Sequence, residues 1–72
     1  TLGIELKVWR SGRPDPKTVG LTQLENYLTR IKQAMGWLVI FDRRENAPEI
    51  AERLSTEIVA TATGKQITVI RA

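Results

Sequence analysis

The chain has 72 residues, with eleven Lys+Arg against eight Asp+Glu, a net charge of +3 and a pI near 9.8. That length allows one small domain, and with no cysteine there is no disulfide or thiolate metal site to brace it. With no histidine either, imidazole zinc sites and Ser-His or Cys-His nucleophile pairs are excluded, which leaves carboxylates, lysine and oxygen-held metals as the available chemistry.

The first predicted strand spans about residues 3–10. Alternation puts Ile4, Leu6 and Val8 on one face and Glu5, Lys7 and Trp9 on the other. A carboxylate and an ammonium thus stand two residues apart on one face. Such a pair can hold a hard cation through oxygen and stabilise negative charge building on a phosphate. Glu and Lys also alternate on many half-exposed strands, where they pair for less than ~1 kcal/mol.

Residues 11–18 read as a loop within the domain, since they hold two prolines, a glycine and several small polar residues. A helix is expected from about Gly20 to Met35, on the stripe Leu21, Leu24, Leu28, Ile31 and Met35. Thr18 would cap its start and Gly36 would stop it. Gln23 and Tyr27, at i and i+4, share a flank of that stripe. They are neutral partners suited to a phosphate oxygen or a bound water.

The run Trp37–Asp42 is apolar nearly throughout, as expected of a strand covered on both faces. Strand, helix and apolar strand form the pattern of a parallel βαβ unit. Asn46-Ala47-Pro48-Glu49 resembles a capped helix start, with Ile50, Ala51 and Leu54 facing inward and an end near Leu54. Thr56, Ile58, Val59, Thr61 and Thr63 favour a strand next, with a continuous helix over 47–60 as the rival. A turn at Thr63-Gly64-Lys65 leads into a last strand at 66–71. The predicted fold is α/β, a mixed sheet with a parallel β-α-β unit, a short helix and a C-terminal hairpin.

In a βαβ unit the loops after both strands open on the edge where ligands of α/β sheets bind. Arg10, Arg13 and Lys17 lie in the first loop, and Arg43 and Arg44 in the second. Together they are candidates for receiving a phosphodiester backbone, or they form a solvated rim. No apolar run approaches the length of a membrane span, so no membrane partner is expected, and a cytoplasmic location is. The chain begins with Thr1, so it is expected to be a fragment, a processed product or a trimmed chain.

Four blocks in order, Ile4-Glu5-Leu6-Lys7-Val8-Trp9-Arg10, Gly20-Leu21-x-Gln23-x-x-x-Tyr27, Gly36 to Arg44, and Gly64 to Val69, resemble the second half of a PD-(D/E)XK nuclease domain. The resemblance is nearest to the nuclease-like domains at the C-terminus of some AAA-type ATPase proteins. It implies a nucleic-acid substrate, with DNA the expected one, and Mg²⁺ or Mn²⁺ in the complete domain. It implies further that Glu5 is a metal ligand, that the Leu6 carbonyl is a second one, and that Lys7 positions water or stabilises the transition state. Gln23 and Tyr27 would match the Q-x-x-x-Y element of the family's exonuclease-like branches. The family's metal-binding Asp comes from a strand before the E-x-K strand, and neither Asp15 nor Asp42 occupies that place. The resemblance therefore implies half an active site, inactive alone. The alternative is a non-catalytic module binding nucleic acid or protein. The expected protein partners are an ATPase domain of a parent protein and a homo-oligomer formed through the exposed first strand.

Overall fold

The period-two pattern of the N-terminal segment does form a strand, β1 (Gly3–Trp9), and the chain continues as α1 (Lys17–Arg30), β2 (Met35–Asp42), α2 (Ile50–Arg53), β3 (Ser55–Ala60) and β4 (Gln66–Arg71). The computed structural model describes residues 3–72, with every side chain but that of Ile50. The sheet order is β1-β2-β4-β3. β1 and β4 each run parallel to β2, and the β3–β4 hairpin closes the sheet antiparallel, so the sheet is mixed as predicted.

Register sorts the strand residues into two faces. On one lie the rows Gly3-Gly36-Ile67-Val59, Glu5-Leu38-Val69-Glu57 and Lys7-Ile40-Arg71-Ser55, and α1 packs there. The fully buried core is Leu24 and Leu28 from α1 against Leu38, Ile40, Ile67 and Val69 from the central strands. Burying side chains of this size is worth about 1.5–3 kcal/mol each. The helix lies close because three glycines at the contact, Gly20 on α1 and Gly3 and Gly36 on the sheet, carry no Cβ. A Cβ on Gly36 would stand 2.8 Å from Leu28 Cδ1, and one on Gly20 2.8 Å from Leu38 Cδ1.

The other face carries the rows Ile4-Trp37-Thr68-Ile58 and Leu6-Val39-Ile70-Thr56, followed by Val8 beside Phe41. Leu6 and Ile58 remain 62% and 65% exposed. This corrects the expectation that β2 is covered on both faces. Its apolar run is buried only at Leu38 and Ile40, while Trp37 is exposed and Val39 and Phe41 half-buried.

α1 starts three residues earlier and ends five earlier than its stripe predicts. Pro16 sits at its start, the Lys17 N–H donates to Asp15 Oδ1 at 3.0 Å, and Thr18 lies within the first turn instead of capping it. At the other end Lys32 adopts φ +58°, and the Gln33 N–H returns to the Leu28 carbonyl at 2.9 Å. That left-handed residue stops the helix, so Met35 begins β2, 59% exposed, and Gly36 becomes a packing notch rather than a helix stop.

α2 is shorter than expected, beginning at Ile50 rather than near Asn46. Ala51 and Leu54 are exposed, against the inward placement predicted for them, and the side chain of Ile50 lies outside the described residues. Four residues offer too little apolar surface to hold a helix face on the sheet. Ser55–Ala60 is a strand, which settles the helix-or-strand alternative in favour of the β-branched residues.

Candidate functional site

Three parallel strands end together, so Trp9, Asp42 and Arg71 meet at one edge of the sheet. The loops that follow β1 and β2 are tied there: the Arg43 N–H donates to the Trp9 carbonyl at 2.8 Å, and the Glu45 N–H to Ser11 Oγ at 2.7 Å. The two cationic loops do open on the same edge.

Glu5 and Lys7 project on the α1 side of β1, with Lys7 Nζ 3.7 Å from Glu5 Oε1 and both side chains largely covered. The backbone dictates the pairing, since residues two apart on a strand share a face. Gly20 sets the headroom above them, for a Cβ at that position would stand 3.4 Å from Lys7 Cγ. Among the described residues β1 pairs only with β2, so Glu5 and Lys7 stand beside an open sheet edge.

Among the described residues no three metal-ligating side chains come together. Glu5 faces an ammonium, and its in-register neighbour on β2 is Leu38. One carboxylate shared with a lysine does not fit Mg²⁺, which needs six oxygens in octahedral order. The Leu6 side chain turns to the open face. Gln23 is exposed on α1, and Tyr27 is half-buried against the core. Among the described residues neither forms a side-chain hydrogen bond with Glu5 or Lys7.

The five cations separate into two groups. Lys17, in the first turn of α1, reaches across to Glu57 Oε1 on β3 at 2.7 Å. Arg44 doubles back on its own strand end: its Nε and Nη2 donate to Asp42 Oδ1 and Oδ2 at 2.9 and 2.6 Å. Its guanidinium also lies 3.6 Å from the centre of the Trp9 ring. Arg10, Arg13 and Arg43 are exposed and have no ion-pair partner among the described residues. Arg10 and Arg43 line, with Val8 and Phe41, an open hollow of about 310 Å³. That hollow lies on the open face of the sheet, opposite the side that carries Glu5 and Lys7.

Sequence reasoning missed the Trp9–Asp42–Arg44 cluster and its neighbour, Arg71 Nη2 on Asp15 Oδ2 at 2.7 Å. Only Asp-Arg-Arg at a strand end hinted at the first, and nothing local hinted at a pair 56 residues apart. The Arg44 hydrogen bonds pull the Asp42 carboxyl from its ordinary 3.8 down to about 2, and the pair in turn raises Arg44. Glu25 is likewise held below the ordinary carboxylate range, first by the Thr61 hydroxyl and then by the hydroxyl and N–H of Thr63. This ties α1 to the β3–β4 turn.

No family model matches the chain, and neither a curated protein nor a solved structure matches it.

Proposed function

We propose that the chain supplies one half of a phosphodiester-cleaving site, inactive by itself, with Glu5 and Lys7 presented on an edge strand. The observation that supports this reading is the placement of the pair: 3.7 Å apart, half-buried on the α1 side of β1, beside a sheet edge unpaired among the described residues. A strand seated on that edge can bring the second carboxylate that the described residues lack. Lys7 then stabilises charge developing on phosphate oxygens. Gln23 and Tyr27 offer neutral donors from α1. The net charge of +3 suits a polyanionic substrate such as DNA.

A second reading, a non-catalytic module that binds nucleic acid or an ATPase-type partner domain, is favoured by one observation. Glu5 and Lys7 already form an ion pair with each other, and no cluster of ligating side chains surrounds them among the described residues.

Cleavage of labelled single- and double-stranded DNA with Mg²⁺ or Mn²⁺ tests the first reading. The 72-residue chain should not cut. A chain lengthened at its N-terminus by a hairpin strand that carries an Asp should cut, and Lys7→Ala should abolish turnover with the melting temperature nearly unchanged. A lengthened chain that binds DNA but never cuts it, with either metal, leaves the binding module. One that does neither removes both readings.

A further inference from the structure

We propose that the sheet face turned away from α1 is a docking surface for an amphipathic helix that carries a carboxylate at one end, held there by Arg10 and Arg43. The proposal is independent of the Glu5–Lys7 reading, because the two lie on opposite faces of the sheet.

The face is apolar and wide. Ile4, Leu6 and Val8 on β1, Met35 and Trp37 on β2, and Ile58 on β3 are each more than 40% exposed. Val39, Phe41 and Ile70 fill the space between them, half-buried. Contiguous apolar surface of this kind marks an interaction site when it is rimmed by polar groups. Three of the four strands run parallel, and parallel sheets are covered by helices on both faces, whereas here α1 covers one.

Charge selects the occupant. The acidic residues of the four strands, Glu5, Asp42 and Glu57, all fall on the α1 side. The open face ends instead in two arginines. They line the hollow with Val8 and Phe41, and Arg43 is steadied 5.6 Å from the centre of the Phe41 ring. A second copy of the chain laid face to face offers these guanidiniums no strand carboxylate. A nucleic-acid backbone meets cations at one end only and mostly apolar side chains, with Thr56 and Thr68 among them, along the rest. A helix with an apolar stripe and a terminal Asp or Glu matches both parts, since the stripe covers the rows of Ile4 and Leu6 while the carboxylate enters the hollow.

The test is a displayed library of amphipathic helices, fixed in their apolar stripe and randomised in both terminal turns, selected on the 72-residue protein. The expected result is enrichment of Asp or Glu at one end. Amide shifts on adding a selected peptide should map to the open rows of β1 and β2. Arg10→Glu with Arg43→Glu should weaken binding at least tenfold, and an acid-to-Lys change in the peptide should restore it. Arg10→Gln with Arg43→Gln is the milder pair should charge reversal disturb folding, which circular dichroism reports. The proposal is overturned if no helix is enriched, if enriched helices show no acidic preference, or if the arginine changes leave affinity intact. It is equally overturned if DNA displaces the peptide from this face with a steep salt dependence. Sedimentation showing that copies of the chain pair through the same rows also overturns it.

Discussion

The guanidinium of Arg44 lies 3.6 Å from the centre of the Trp9 ring while gripping both carboxylate oxygens of Asp42. This joins the ends of β1 and β2 at the edge where both loops leave the sheet. A planar fork that stacks and binds bidentately has no lysine equivalent. Arg44→Lys should therefore lower the melting temperature, and Arg44→Ala should lower it further. Tryptophan emission of Arg44→Ala should shift to the red as the Trp9 ring is uncovered. Equal melting temperatures for the lysine variant and the parent chain would show that the stack contributes nothing.

The same pair makes the fold sensitive to acid. Asp42 has a folded pKa of about 2 against an ordinary 3.8. A depressed carboxyl contributes stability that is fully present above the unfolded value and is lost as pH falls through the folded one. Stability should thus decline between about pH 4 and pH 2. Asp42→Asn, read by urea melts at pH 6 and pH 2.5, should be weaker than the parent chain at pH 6, with roughly two thirds of that gap gone at pH 2.5. A gap that stays constant between the two pH values would remove Asp42 as the source.

Leu28 seats against Gly36, and the fit is tight. A Cβ at position 36 would come within 2.8 Å of Leu28 Cδ1 and 3.2 Å of the Gly3 carbonyl oxygen. Gly36→Ala should cost about 1–3 kcal/mol by overpacking. Leu28→Ala should cost about 2–5 kcal/mol by leaving a cavity. The double variant should be better than additive, because truncating Leu28 removes most of the clash. Strict additivity in denaturant melts would show that the backbone oxygen, not the side chain, is what Gly36 must avoid.

How much of this was legible in the sequence follows the range of each interaction. Strand β4 and the β-branched run of β3 were readable because alternation and side-chain shape act locally. The Glu5–Lys7 pairing was readable for the same reason. The end of α1 was not, because Ile31 and Met35 continue the helical spacing while Lys32 takes a left-handed backbone usually left to glycine. Nor was the open face of β2, since a continuous apolar run looks the same whether one side is covered or two. The division of Arg10 and Arg43 from Glu5 and Lys7 depends on which face each strand end presents, and local pattern does not reveal which face a helix will cover.

Lys32 carries its own test. A non-glycine residue in the left-handed region costs roughly 1–2 kcal/mol, which a glycine avoids at some expense in chain entropy. Lys32→Gly should raise stability by about 0.5–1 kcal/mol and leave the Gln33-to-Leu28 hydrogen bond in place. Slower hydrogen exchange at the Gln33 amide would report it. A destabilised Lys32→Gly would mean that the lysine side chain contributes more than the backbone strain removes.

The last prediction concerns the open face of the isolated chain. Leu6 sits in the row with Val39 and Ile70, and Ile58 beside Thr68, and both side chains are more than 60% exposed. Threonine keeps the β-branched shape that strands favour and removes the apolar end. Leu6→Thr and Ile58→Thr should each change stability by no more than about 0.5 kcal/mol, as exposed substitutions do. Leu38→Ala, one residue away from the Leu6 row but on the α1 side, should cost about 2–5 kcal/mol. The double threonine variant should also stay in solution at higher concentration and bind less of a hydrophobic dye. A loss near 2 kcal/mol at Leu6 would show that the face is packed in the isolated chain, through self-association or a rearranged neighbour.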